Sequence, residues 1–146
     1  PQRVPAPAKH RPRRADQLHG QVLVVEDNLV VREALVQLLS SWGLQVQTVA
    51  DGEQARTAMA NESFQVVLSD WRLPGQTDGI EVLRQARSIL PDLRLGLLLT
   101  GEDTQRLQEQ PPEFPVLRKP VRPLQLRALL GQSLQSRKSE QPIKAH

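Results

Sequence analysis

The sequence contains no cysteine, and aromatic residues make up only 3% of its 146 residues. Without cysteine the chain has no disulfide framework and no thiolate metal site, which fits an intracellular compartment. Its longest apolar runs, VLVV and LGLLL, are far too short to span a bilayer, and no signal-peptide pattern opens the chain. The length and a hydrophobic content of 38% suit one domain with a core of its own.

Positive charge is concentrated at the two ends of the chain. Residues 1–19 carry five basic residues and one acid, residues 137–146 carry three and one, and residues 20–136 have a net charge of −3. Four of the first twelve residues are proline, which favours an extended spacer. We expect a disordered basic linker at 1–19, one domain at 20–136 and a flexible polar tail at 137–146. The chain does not start with methionine, and we expect it to be part of a longer protein.

Between these ends, strand-like and helix-like segments alternate. Short, mostly apolar runs typical of strands occur at 21–25, 44–49, 64–69, 93–99 and 115–118. Apolar residues at helical spacing follow the first, second, third and fifth of these runs. The pattern predicts an α/β fold in which right-handed crossovers build a mostly parallel sheet with helices on both faces.

The predicted helices have recognisable first residues. Asn28, Asp51 and Asp78 are each placed to cap the helix that follows, and Pro123 suits the first position of the last helix. In the helix after Asp78, the residues expected to face the core are Ile80, Leu83, Ala86, Ile89 and Leu90.

Side chains with useful chemistry follow the ends of four predicted strands. They are Glu26 and Asp27 after the first strand, Asp70 after the third, Thr100 after the fourth and Lys119 after the fifth. Because open α/β sheets bind ligands beyond the carboxyl ends of their strands, we expect these residues to converge. Taken singly, each has an ordinary explanation, and Asp27 is also explained as a helix cap.

The three acids of this set suggest a metal. Glu26 and Asp27 are adjacent, and two like charges about 4 Å apart repel by roughly 4 kcal/mol at an effective dielectric constant near 20. Clustered carboxylates without histidine or cysteine suit a hard cation, and Mg²⁺ is the natural candidate to offset that repulsion. A metal beside a free carboxylate, with a lysine and a threonine opposite, is also typical of a phosphoryl-transfer site.

Five motifs carry a resemblance to a known family. LVVEDN, LSDWRLPG, DGIEVL, LLLTG and LRKP occur in this order over about residues 20–136. Together they resemble the receiver domain of two-component response regulators. The resemblance implies a flavodoxin-like, doubly wound (βα)5 fold, with a five-stranded parallel sheet in the order 2-1-3-4-5 and helices on both faces.

The resemblance also implies roles for individual residues. Asp70 is then the phosphoacceptor, Thr100 hydrogen-bonds the phosphoryl group and switches conformation, and Lys119 forms a salt bridge with it. The Lys119–Pro120 peptide is cis in the family. Mg²⁺ is then held by three side chains and one backbone carbonyl, those of Glu26, Asp27, Asp70 and, for the carbonyl, Arg72.

The sequence departs from the family pattern in two places. The family often has an aromatic residue three positions before the lysine, where this chain has Val116. The segment between Thr100 and Lys119 is also short. Its PPEFP sequence is expected to end early any helix between the fourth and fifth strands. Near the predicted site, Arg72 and Glu102 are expected to lie on neighbouring loops, where an ion pair between them would slow hydrolysis of the phosphorylated state.

Several functions remain open beside the receiver interpretation. An Mg²⁺-dependent phosphatase of the haloacid-dehalogenase type needs a second acid two residues after the nucleophile, and this chain has Arg72 there, which cannot donate a proton near neutral pH. A nucleic-acid-binding protein is disfavoured by the few aromatics and the missing recognition module. A degenerate receiver that is not phosphorylated is the third alternative.

The residues of two motifs also suggest the kind of protein that contains this domain. DWRLPG and DGIEVL resemble receivers at the C-terminal end of hybrid sensor histidine kinases, with a stand-alone single-domain response regulator as the alternative. The expected partner is a histidine kinase core or a histidine phosphotransfer protein, without contact to nucleic acid or membrane by this domain. We expect a cytoplasmic domain that phosphorylates and dephosphorylates itself and is a monomer or a weak dimer. This expectation is compatible with a membrane anchor elsewhere in the parent protein.

Overall fold

The computed structural model describes residues 17–101 and 113–144, with side chains described as far as residue 134. Five strands form one parallel sheet in the order β2-β1-β3-β4-β5. The strands are β1 (Gln21–Val25), β2 (Gln45–Val49), β3 (Val66–Asp70), β4 (Leu95–Thr100) and β5 (Val116–Arg118). The predicted fold class and strand order are confirmed.

Four helices in the described residues connect or follow these strands. They are α1 (Leu29–Ser41), α2 (Gly52–Asn61), α3 (Gly79–Ile89) and α4 (Pro123–Lys144). Each of the three predicted caps is present, because the side chains of Asn28, Asp51 and Asp78 accept hydrogen bonds from the backbone N–H groups three residues further on. The helix starts are therefore fixed by local sequence.

The sheet divides the hydrophobic core into two layers. On one face, α2 and α3 pack through Ala55, Met59, Val82 and Leu83, together with Phe64. On the other face, α1 and α4 pack against the sheet through Leu35, Leu39, Leu126 and Leu130. Because strand side chains alternate between faces, β1 contributes Leu23 and Val25 to the first layer and Val22 and Val24 to the second. All four are buried, as expected for a central strand covered on both sides.

Two observations concern the ends of the expected domain, whose boundaries stay a prediction. Leu18, placed in the linker by its sequence, is only 2% exposed, and its N–H donates to the carbonyl of Trp42 at 2.8 Å. Helix α4 continues to Lys144, through a segment expected to be a flexible tail. Residues 1–16, the rest of the predicted linker, lie outside the described residues. So does the expected early end of a helix between β4 and β5.

One core prediction for α3 is wrong. Ile89 is 37% exposed, whereas Val82, which was not among the predicted core residues, is fully buried. Ile89 is the last residue of α3, so no further turn covers its side chain. Leu90 caps the helix and is buried as predicted.

No helix in the described part of the chain is long and apolar enough to cross a membrane.

Candidate functional site

The three predicted acids meet at the carboxyl edge of the sheet. Glu26 and Asp27 follow β1, and Asp70 is the last residue of β3. Because β1 and β3 are hydrogen-bonded neighbours with parallel register, their ends lie side by side. One carboxylate oxygen from each of the three acids lies within 4.8 Å of the others. Sequence position alone predicted this convergence, and the strand order produces it.

Lys119 completes the cluster from the other side. Its Nζ donates to Glu26 Oε1 at 2.9 Å and lies 3.3 Å from Asp70 Oδ2, so one ammonium group bridges two carboxylates. The backbone N–H of Lys119 donates to the carbonyl of Thr100 at 2.8 Å, which ties the end of β5 to the end of β4. The peptide between Lys119 and Pro120 is cis, as the family resemblance predicted.

Glu26 is compensated within the protein itself. Its side chain is 1% exposed, and its second oxygen, Oε2, accepts a hydrogen bond from the backbone N–H of Asn28 at 3.1 Å. Both carboxylate oxygens therefore have a donor, while Asp27 is exposed. Glu26 is therefore compensated before any metal binds, and the expectation that a metal ion offsets the repulsion between Glu26 and Asp27 stays a prediction. The ammonium of Lys119 and one backbone N–H already stabilise the buried charge.

The electrostatics of Asp70 and Lys119 differ from those of free side chains. Burial raises the pKa of Asp70, the nearby charge of Glu26 raises it further, and the contact with Lys119 opposes both effects without cancelling them. Burial by itself lowers the pKa of Lys119. The hydrogen bond to Glu26 and the charge of Asp70 outweigh it, so the pKa of Lys119 is raised overall. Asp70 is thus a carboxylate held beside a firmly protonated ammonium.

The remaining predicted residues surround this centre. Thr100 ends β4 and is 1% exposed, and Trp71, directly after Asp70, is 2% exposed. Arg72 is exposed in the loop that leaves β3, and the role of its backbone carbonyl stays a prediction. Val116 is partly buried and packs against the first core layer. Glu102 lies outside the described residues, so its pairing with Arg72 also stays a prediction.

Two supporting groups were not predicted. One is the backbone N–H of Asn28, which serves Glu26 while the Asn28 side chain caps α1. The other is the buried hydroxyl of Ser69, which donates to the backbone carbonyl of Asp70 at 2.9 Å. A capping residue two positions after a buried acid gave a sequence signal for the first. Ser69 lies inside a strand pattern, and nothing in that pattern indicates the hydrogen bond of its hydroxyl.

The donor set fits a magnesium ion. The three clustered acids offer only oxygen atoms, the ligands that Mg²⁺ prefers, and few protein ligands leave room for bound water. Glu26 is engaged by Lys119 and Asn28, whereas Asp27 is exposed and Asp70 is 14% exposed. Asp27 and Asp70 are therefore the acids most open to direct coordination.

Comparison with known protein families identifies one that spans most of the chain. A family model described as the response regulator receiver domain matches residues 22–130. The C4-dicarboxylate transport transcriptional regulatory protein DctD of Pseudomonas aeruginosa is 43% identical over 81 residues, which is 56% of this chain and 17% of DctD. Response regulator MprA of a Mycobacterium species is 40% identical over 84 residues, 58% of this chain and 36% of MprA. The chain thus matches well under two thirds of either relative's length.

Solved structures give the same result. The receiver domain of sensor histidine kinase PA1611 from Pseudomonas aeruginosa, which has a magnesium ion coordinated in its active site cleft, is 30% identical with a TM-score of 0.69. The match covers 80% of this chain and 98% of that one. The signal receiver domain of a signal transduction histidine kinase from Syntrophus aciditrophicus is 25% identical with a TM-score of 0.68, over 80% and 91% of the two chains.

Proposed function

The chain belongs to the response regulator receiver domain family, and on that premise we propose that Asp70 accepts a phosphoryl group from a phosphohistidine in a two-component phosphorelay. The observation that carries the proposal is the setting of Asp70. Its carboxylate ends β3, keeps 14% exposure, and lies between two further acids and the ammonium of Lys119. It is therefore both reachable by a donor and surrounded by groups that handle phosphoryl charge.

The proposed reaction is a direct transfer. A carboxylate oxygen of Asp70 attacks phosphorus and forms an O–P bond, while the P–N bond to the donor imidazole breaks and its electron pair returns to the ring nitrogen. The attack needs the ionised carboxylate, and Lys119 keeps that form available although burial disfavours it. After transfer, the ammonium of Lys119 is placed to pair with a phosphoryl oxygen in place of Asp70 Oδ2.

Mg²⁺ supplies further neutralisation of phosphoryl charge when it is bound. We propose that it is held by Glu26, Asp27, Asp70 and the backbone carbonyl of Arg72. The clustering of the three acids within 4.8 Å supports this assignment. We propose further that the hydroxyl of Thr100, which ends the neighbouring strand, hydrogen-bonds the transferred group. The buried position of Thr100 at the same edge of the sheet supports that role.

Receiver domains interact with histidine kinases or histidine phosphotransfer proteins, and we propose one of these as the donor. We favour the receiver of a hybrid sensor histidine kinase in the cytoplasm. The similarity over nearly the whole length of the PA1611 receiver domain supports this choice. A stand-alone response regulator is the second candidate; DctD and MprA are regulators, although this chain matches only 17% and 36% of their lengths. The domains that accompany this one in its parent protein would decide between the two candidates.

Acetyl phosphate, a small donor, tests the proposal without the natural partner. With Mg²⁺ present, we expect the intact protein to gain the mass of one phosphoryl group, and Asp70→Asn to gain none. Asp92→Asn is the matched control, because Asp92 is an exposed acid far along the chain from the cluster and should leave phosphorylation unchanged. Full phosphorylation of Asp70→Asn would show that another residue is the acceptor.

A further inference from the structure

The first residue of α3 lies directly against the phosphoacceptor. Gly79 is buried, and a β-carbon built at this position would overlap the backbone carbonyl oxygen of Asp70 and lie 3.0 Å from its carbonyl carbon. Both of these atoms belong to the backbone, so they cannot move aside as a flexible side chain can. The β-carbon would also lie 3.0 Å from Cδ2 of the Leu98 side chain. Only glycine permits this close approach between α3 and the end of β3.

Hydrogen bonds on both sides fix the same backbone segment. The N–H of Gly79 donates to the carbonyl of Trp71 at 2.9 Å, and the N–H of Trp71 donates to the carbonyl of Leu99 at 2.8 Å. The hydroxyl of Ser69 donates to the carbonyl of Asp70 at 2.9 Å. The backbone around Asp70 is therefore held by β4, by its own strand and by α3 at once.

The position of this backbone sets the reach of the Asp70 side chain. Its Oδ2 lies 3.3 Å from Lys119 Nζ. One of its carboxylate oxygens also lies within 4.8 Å of a carboxylate oxygen of Glu26 and of one of Asp27. Any shift that makes room for a β-carbon at Gly79 moves Asp70 relative to those partners. A misplacement of about 1 Å can lower a reaction rate by about 100-fold.

We propose that Gly79 is a positioning residue for phosphoryl transfer: its missing side chain lets α3 seat against the Asp70 carbonyl and so holds the carboxylate at its working distance from Lys119 and the other acids. Gly79 does not touch the reacting atoms and acts through Asp70. The inference rests on the proposed function, since it assumes that Asp70 is the acceptor.

The test compares Gly79→Ala with Gly101→Ala. Among the residues that the structure describes, none lies within 4 Å of a β-carbon at Gly101, although Gly101 is at the same edge of the sheet, so it is a matched control. With acetyl phosphate and Mg²⁺ as probes, we expect the maximal phosphorylation rate of Gly79→Ala to fall by about 100-fold. The acetyl phosphate concentration at half-maximal rate should change little. Mg²⁺ affinity, measured by calorimetry, should fall as well, while Gly101→Ala keeps wild-type values.

The outcomes separate this inference from the proposed function. A wild-type rate and Mg²⁺ affinity in a folded Gly79→Ala would overturn the positioning role and leave Asp70 as the acceptor. An equal loss in Gly101→Ala would overturn it too. If the wild-type protein is not phosphorylated at all, the proposed function fails, and the role of Gly79 in phosphoryl transfer fails with it.

A second variant covers the case in which Gly79→Ala does not fold, as judged by circular dichroism. Ser69→Ala removes the hydroxyl that holds the same Asp70 carbonyl and adds no atoms to the core. We expect a loss of maximal rate that is smaller than about 100-fold, with the fold intact. An unchanged rate in Ser69→Ala would then count against the inference, because it would show that the backbone carbonyl of Asp70 needs no such support.

Discussion

Replacing Lys119 by methionine removes the charge that compensates a buried acid. Glu26 is 1% exposed and Lys119 is 22% exposed, so water screens this pair weakly. At the observed 2.9 Å, the attraction is about 6 kcal/mol with an effective dielectric constant near 20. Methionine is also unbranched and is shorter than lysine only by the terminal nitrogen, so the change tests charge more than packing.

Desolvation of the two charges offsets part of that attraction. What remains on substitution is the cost of leaving Glu26 buried without its partner, about 3–5 kcal/mol of unfolding free energy. After the substitution, Glu26 keeps the hydrogen bond from the backbone N–H of Asn28 but loses the one from Lys119. Asp70 lies close by as a second acid without its ammonium partner. We therefore expect Lys119→Met to be much less stable than the wild-type protein in Mg²⁺-free buffer.

Mg²⁺ should reverse part of this loss. In the variant the acids lack a cation, so an ion bound among them stabilises the folded state more than it does in the wild-type protein. Urea unfolding, followed by circular dichroism with EDTA and with Mg²⁺, measures both effects. Arg118→Met is the control, because Arg118 is exposed and precedes Lys119 directly; its effect should stay within about 0.5 kcal/mol.

Two results would refute this reasoning. One is a loss below about 1 kcal/mol for Lys119→Met in Mg²⁺-free buffer, since that is the range of a surface ion pair. The other is a double-mutant cycle with Glu26→Gln that shows no coupling, because residues in contact through charge should couple by about 0.5–3 kcal/mol.

Three further predictions concern the acids and pH. Asp27→Asn should weaken Mg²⁺ binding about tenfold or more, since even residues that only support metal ligands contribute that much; Trp71 fluorescence reports the titration, and an unchanged curve would exclude Asp27 as a ligand. Because the pKa of Asp70 is raised, the native state holds that proton more tightly than the unfolded state does, and stability falls as pH rises from the ordinary aspartate range through the raised value. Asp70→Asn should therefore be more stable than wild type at neutral pH without Mg²⁺, and the difference should vanish in acid. The raised pKa of Lys119 contributes stability below the ordinary lysine range, which is lost as pH rises through the raised value; urea midpoints in alkaline buffer should show this loss in the wild type and not in Lys119→Met.

Local sequence rules predicted most of the fold. Capping by Asn28, Asp51 and Asp78, and the start of α4 at Pro123, depend on atoms within a few residues, and all four are present as expected. Ile89 and Leu18 show where such rules stop. Whether a side chain is covered at the end of a helix, or just before the first strand, depends on which distant segment packs there.

The membership of the site was also readable from the sequence. Glu26, Asp27, Asp70, Thr100 and Lys119 each follow or end a strand of a parallel sheet, and such strand ends share one edge whatever the details of packing. The chemistry of three acids and one lysine then restricts the ligands to a hard cation and an anionic group. Residue type and position within each strand determined this much.

The charge balance inside the site was decided by tertiary structure. Lys119 and Glu26 are 93 positions apart, and only the strand order and the register of each pair bring Nζ within 2.9 Å of Oε1. Likewise, the fit of Gly79 against the Asp70 carbonyl depends on where α3 returns to the sheet. The sequence by itself determined which groups meet at the edge; the packed fold determined which of them touch, because contacts of a few ångströms depend on every element between the residues that make them.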